Sequence, residues 1–458
     1  MKKILFSMLL LVASSAAFAQ MTPEEKAALK AAEKEAKAQV SQGIKLRDEV
    51  NTLYNAIQTE IAKGDKANQD LIKKNEAAIR DKSLQANELL AKALKSGHVA
   101  EKQMFDASKA LDDVSTQLLN PELNLASKHE TFDTLTFEKA VDGVCDGCYG
   151  QLEYGNPKNV NQQIPLGQAK MKMPKLLTYR GYLCYFYVEN KNIDGAVKAF
   201  DKYNSFAKDY PKVADDEEVK NPQTPASQFA FNIYYTAYNL KRFDICEKYY
   251  DLAAQFPDEQ SHNFVLSSRP QMFLQQGDTL NWVKSLEAMI DAAPESTNAE
   301  VATQNLLAYY DKKGTEAMSA FADKVLEKNP SSKIANYGKG YSLFAKEMYD
   351  EALPFFKKAI EKDGDYVEAN YMAGMSLYRQ AMENYYKNID GKKFKTTAEL
   401  QAAENKYVKD LYREAITYFE KCRNLSPEQP DTWAGPMQTI YKNLGEKAKA
   451  AELDIYTK

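Results

Sequence analysis

The chain is 458 residues long, with 44% hydrophobic and 27% charged residues. That length accommodates several domains or one long repeat array. Its 60 basic and 64 acidic residues give a net charge of −4 and form no long basic stripe. A phosphate backbone demands clustered Lys and Arg, so nucleic acid is not an expected partner.

Lys2 and Lys3 open the chain, Ile4 to Val12 form an apolar run, and Ala17-Phe18-Ala19 gives a small-x-small pattern before Gln20. This pattern predicts a signal peptide over residues 1–19. Its removal leaves 58 basic against 64 acidic residues, a net charge of −6. No cysteine follows the apolar run, so no lipid anchor is expected. No later stretch is apolar over 18 positions, so no membrane-spanning helix is expected. The predicted location is the periplasm or the outside of the cell.

Residues 20–97 are predicted to form a charged helical hairpin. Glu24 to Lys37 is almost entirely Ala, Glu and Lys, a strong helix-forming composition. Ile44, Val50, Leu53, Ile57 and Ile61 continue it as one apolar stripe, making a first helix of about forty residues. Gly64-Asp65 breaks the pattern, and Leu71 to Leu94 carries a second stripe that ends near Gly97. A stripe this narrow suits packing between helices.

Residues 98–169 are predicted to be a helical connector, with a degenerate helix pair from about Asp106 to Gly150. Gly143 to Gln163 is rich in Gly and Asn and poor in periodicity, and is expected to be a loop. It holds Cys145-Asp146-Gly147-Cys148. Tyr149 stands where haem attachment needs His, and no second C-x-x-C exists to complete a zinc site. Cys145 and Cys148 are therefore a candidate disulfide, or two free thiols.

From residue 170 to 458 the sequence repeats. Tyr337 to Lys362 reads YGKGYSLFAKEMYDEALPFFKKAIEK. Leu353, Phe356 and Ile360 share one helical face, and Asp350 is a candidate N-cap. This segment resembles a tetratricopeptide repeat, a unit of about 34 residues folded as two antiparallel helices, A and B. Gly340 holds the small position of helix A; Ala352 and Ala359 hold those of helix B. The small position of helix B recurs at Ala196, Cys246, Trp282, Met318, Ala352 and Ala415, with a weaker copy near Ala450. Asp194 and Asp244 repeat the cap, and Pro294, Pro330 and Pro427 repeat the stop. Two intervals are too long, which places insertions near 207–225, around Asp215-Asp216-Glu217-Glu218, and at 380–409. The second is expected to be a prong of two extended helices turning at Asp390-Gly391. Cys184, Cys246 and Cys422 fall at small positions and are assigned to packing.

The resemblance implies an all-α fold: a right-handed superhelical array of antiparallel helix pairs preceded by the hairpin. It also implies that helix A lines a concave binding surface. Its outward positions are Tyr185 in the first copy and Phe231, Tyr235 and Tyr238 in the second. In the best copy they are Tyr337 and Tyr341, and in the next Tyr371, Met375, Tyr378 and Arg379. Such amphipathic rings suit a binding groove, or serve the core between helices. One subclass of the family clamps a peptide carboxylate with Lys and Asn where this chain has Tyr337 and Tyr341, so that role is not expected.

His98, His129 and His262 stand apart, and no nucleophile motif or phosphate loop is present. The sequence predicts a chain that is not an enzyme and takes no cofactor or metal. The expected function is a scaffold or adaptor holding a protein or peptide partner on helix A. The alternative is an envelope-associated glycan-binding module of the same type.

Overall fold

The computed structural model describes residues 20–126, 134–209 and 225–457. Every regular element among them is helical, so the chain is all-α. The expected leader over residues 1–19 and the acidic insertion around Asp215 lie outside the described residues. The chain divides into two compact units after His262.

The first unit opens with α1 (Pro23–Ile61) and α2 (Gln69–Lys95). Thr22 and Glu25 close a capping box at the start of α1, and Asn68 caps α2 by accepting from the Leu71 N–H. The two helices pack antiparallel across a 3-10 turn in which Gly64 takes a positive φ. Ala36, Gly43, Val50 and Ile57 are buried seven residues apart, and Ile72, Ile79 and Ala86 answer them at the same interval. A seven-residue seam is what keeps one face of a long helix against its partner. Of the predicted stripe, Val50 and Ile57 are buried, Ile44 and Leu53 are partly covered, and Ile61 is exposed because it ends α1.

Next come α3 (Glu101–Ala126) and α4 (Thr134–Tyr154), which pack on α2. The expected loop at 143–163 is a correction: it is helix through Tyr154, and α5 (Val160–Glu189) begins six residues later. The glycines mark close approach rather than a turn. A Cβ at Gly143 would fall 2.2 Å from Asn87, one at Gly147 would fall 2.2 Å from Leu111, and one at Gly150 would fall 2.4 Å from the Leu94 backbone. Glycine costs helix propensity, but without a Cβ it lets α4 press onto α2 and α3. Two helix pairs follow, α5 with α6 (Ile193–Asp209) and α7 (Ala226–Asn239) with α8 (Phe243–Ala253).

Helix α9 (Glu259–Gln275) leads to the second unit. There α10 (Thr279–Ala292) is followed by α11 (Thr297–Asp311) with α12 (Thr315–Lys328) and α13 (Lys333–Ala345) with α14 (Tyr349–Lys362). In the next pair, α15 (Val367–Asn388) packs against α17 (Asp410–Leu425). The predicted prong is the far end of α15, a turn at Gly391, and α16 (Thr397–Glu404) running through a π-helical turn into α17. Ile389 and Val408 bury its base in one core with Leu377, Tyr412 and Trp433. The short pair α18 (Ala434–Leu444) and α19 (Lys447–Glu452) ends the chain.

The repeats share a turn. Lys191, Lys241, Gly277, Glu347 and Gly445 all have positive φ at the end of a first helix. The next residue's N–H returns in each case to a carbonyl five residues back: Asn192 to Tyr187, Arg242 to Ala237, Asp278 to Phe273, Met348 to Leu343, and Glu446 to Tyr441. This closure satisfies carbonyls that a helix end leaves open. It also starts the second helix two residues earlier than a cap at the aspartate would. Asp194, Asp244 and Asp350 are thus second residues of their helices, not caps. They remain favourable there because the N-terminal dipole attracts an anion.

The small positions sit at the crossings. Ala196, Cys246, Met318, Ala352, Ala415 and Ala450 are all buried. Trp282 departs: it is half-buried, with its ring edge against Tyr309 at 5.6 Å. In helix A, a Cβ at Gly340 would lie 2.8 Å from Phe356, and one at Gly374, thirty-four residues on, would lie 2.8 Å from Phe419. The helix pairs are of tetratricopeptide type.

Candidate ligand-binding cleft

The ten residues expected to line one groove divide between the two units. In the first, Tyr185 packs on Phe229 at 5.1 Å between ring centroids. Phe231 packs on Phe256 at 5.6 Å, and Tyr238 lies 6.2 Å from Phe243. These rings are half-buried, whereas Tyr235 is exposed. In the second, Tyr371 lies edge-on to Phe419 at 6.1 Å, and Met375 packs on the same core. Both serve mainly to join α15 to α17. Tyr378 stacks on Tyr412 at 5.9 Å, and Arg379 is exposed.

Tyr337 and Tyr341 do line a cleft, of about 710 Å³, between the first helices of two successive pairs. Thr297, Glu300, Gln304 and Asp311 face it from α11, each three, four or seven residues from the next, which is one side of a helix. Lys333, Tyr337 and Tyr341 face it from α13 at four-residue steps, with Ile334 beside Lys333. Tyr366 and Glu368 close one end from the start of α15. The helices approach because Gly338 carries no Cβ; one there would fall 2.7 Å from Leu307.

Tyr337 is the centre of the aromatic floor. Its ring lies 5.3 Å from Tyr366, 6.0 Å from Phe356 and 6.1 Å from Tyr341. Burial pushes its phenol up to about 12, helped by the nearby Glu368 charge. Burial raises Tyr366 as well. Tyr341 presents its ring to solvent at 40% exposure, so the floor is part core and part open surface.

The charges in the cleft are unbalanced. Glu300, Asp311 and Glu368 supply three carboxylates and Lys333 one amine. That amine is already engaged: its Nζ donates to Asp363 at 2.5 Å and lies 5.7 Å from the Tyr366 ring centre. The bond holds the Asp363 carboxyl below the usual carboxylate range. Glu300 Oε2 is buried with no hydrogen-bond partner among the described residues. No cluster of three or more metal-ligating side chains occurs among the described residues.

Sequence reading missed the α11 side of this cleft, because Trp282 and Met318 obscured the middle copies. The signal was present: thirty-four residues before Ile334 and Tyr341 stand Glu300 and Leu307. A second, smaller cavity of about 360 Å³ lies at the prong base, lined by Tyr378, Tyr385, Tyr386 and Tyr412 with a Glu404–Lys409 ion pair.

The C-x-x-C motif lies inside a helix. Cys145 and Cys148 are free, buried thiols within α4 and form no disulfide. Burial pushes Cys145 up to about 11 and raises Cys148 further. Beside them Arg180 pairs with Asp142, while Lys202 donates to Glu138 and Asp142, both at 2.6 Å, tying α4 to α5 and α6. Cys184, Cys246 and Cys422 are likewise buried.

No family model matches the chain, and no curated protein matches it. Among solved structures it is similar to MamA, at 16% identity and a TM-score of 0.28, covering 41% of this chain and 91% of that one. It is similar to the C-terminal part of a TPR repeat-containing protein from Cytophaga hutchinsonii, at 14% identity and a TM-score of 0.32, covering 59% and 91%. It is also similar to yeast Tom70, at 14% identity and a TM-score of 0.28, covering 92% and 91%. Likenesses this remote place no ligand and no partner on the chain.

Proposed function

We propose that this protein is a non-catalytic scaffold that holds a protein partner in the cleft between α11 and α13. The observation that carries the reading is the cleft itself. Successive first helices leave an open, tyrosine-floored trough of about 710 Å³, the size of a site for a few side chains. A rigid stack of helix pairs presents such a surface without reorganising, which lowers the entropic cost of capture. The basic start and apolar run of residues 1–19 support export to the periplasm or beyond.

The test is cross-linking of residues 20–458 in envelope extract, read by mass spectrometry. A protein cross-linked to the α11 and α13 faces, and lost on Tyr341→Ala, is the expected result. Capture unchanged in that variant overturns the assignment of the cleft. A glycan reading rests on the solvent-facing Tyr385 and Tyr386 at the prong base. Retention of peptidoglycan fragments, lost on Tyr386→Ala, is the result that would favour it.

A further inference from the structure

We infer that the cleft recognises a cationic segment of its partner, seating an arginine side chain over the tyrosines and against the carboxylates. The inference rests on the scaffold reading above and names the chemistry of its ligand.

Three observations converge. First, Glu300, Asp311 and Glu368 face the cleft without a cationic partner among the described residues, while Lys333, the one amine in the lining, is held by Asp363. An anionic ligand would enter against three like charges, whereas a cationic one completes the pattern. Second, Glu300 Oε2 is buried and makes no hydrogen bond among the described residues. A buried acceptor left unsatisfied is costly, and an incoming N–H donor removes that cost. Third, Tyr341 offers an exposed ring beside Tyr337, tilted 30° to it at 6.1 Å. A guanidinium stacks on a ring face while its fork donates to carboxylates, so arginine uses both features and lysine only the charge.

Arrangement along the helices supports this. Glu300 lies at the first turn of α11 and Asp311 at its last residue. The carboxylates thus span the trough instead of sharing one point, as an extended peptide with several cations requires and a single small ion does not.

The test uses residues 20–458 and fluorescein-labelled nonapeptides alternating glycine with arginine, lysine or glutamate, read by fluorescence anisotropy. The arginine peptide is expected to bind more tightly than the lysine peptide, and the glutamate peptide not at all. Combined Glu300→Gln, Asp311→Asn and Glu368→Gln should weaken arginine-peptide binding by at least about tenfold, the loss of one charge-assisted hydrogen bond. Equal neutralisation of exposed residues on the second helices, Glu327→Gln, Glu351→Gln and Glu361→Gln, should leave it within about twofold, because remote surface charges are screened. Equal loss in both sets would reduce the effect to net charge and overturn the inference. So would a glutamate peptide that binds as well as the arginine one. Tyr341→Ala, at an exposed position, should reduce the preference for arginine over lysine without altering the fold. If the cross-linked partner is lost on Tyr341→Ala but retained in the carboxylate variant, the scaffold reading stands and the cationic one falls. If both variants retain it, both readings fall.

Discussion

Gly150 presses directly on the backbone of Leu94. A Cβ at Gly150 would stand 2.4 Å from both the carbonyl carbon and the carbonyl oxygen of Leu94, with the Lys95 nitrogen at 2.5 Å. Backbone cannot rotate aside, so α4 or α2 would have to move.

Gly150→Ala should therefore destabilise the first unit by ~1–3 kcal/mol, overriding the helix propensity it gains. Gly143→Ala should cost less, since it meets the side-chain amide of Asn87 and not backbone. Gly167→Ala, in α5 with open space around it, should stabilise by ~0.5–1 kcal/mol. Urea unfolding of the three variants checks the order. A Gly150→Ala protein as stable as the Gly167→Ala one would refute the close packing of α4 on α2.

Ala352 is fully buried where α14 crosses its neighbours. Ala352→Trp should cost ~1–3 kcal/mol or more through overpacking and lower the melting temperature of the second unit. Unchanged melting by circular dichroism would contradict the repeat register.

The five thiols are free and buried. Ellman's reagent should find almost no fast-reacting thiol in the native chain and five after denaturation without reductant, since the thiolate is the reactive form and burial suppresses it. Only three after denaturation would mean that Cys145 and Cys148 had paired.

Tyr337 gives a pH dependence. Its phenol is raised from 10 to about 12 in the fold, so the folded state favours the protonated form. The stabilisation it contributes is complete below pH 10 and is lost as pH rises through about 12. Tyr337→Phe should resist alkaline unfolding in that window better than the parent chain, and the absorbance titration of tyrosinate should lose one late-ionising group. A parent and variant with identical alkaline transitions would show that Tyr337 is not buried as described.

Much of the fold was legible because it is written in local patterns. Val50 and Ile57 announce a helix face, Gly64 breaks it, and Ala352 with Phe356 announces a tight crossing. The 34-residue interval extends that crossing back to Met318, and Ala415 resumes it after the prong insertion. The glycines of α4 misled for a physical reason: a missing Cβ serves a turn and a close contact equally well, and only the neighbouring helix distinguishes them. Tyr371 and Tyr337 pose the same problem, since both are tyrosines at equivalent positions of adjacent copies. Tyr371 packs on Phe419, whereas Tyr337 and its neighbour Tyr341 border a trough.

By itself the sequence determined the helical class, the hairpin, the repeat interval and the prong, because helix periodicity, chain breakers and small crossing residues act over short separations. The tertiary structure decided what those separations cannot encode. It brought Glu300, Tyr337 and Glu368, from three different helices, around one cleft. It engaged Lys333 with Asp363 and left the cleft carboxylates without a cationic partner among the described residues. Charge balance in a cleft depends on which side chains converge across helices, and that is fixed only when the helices pack.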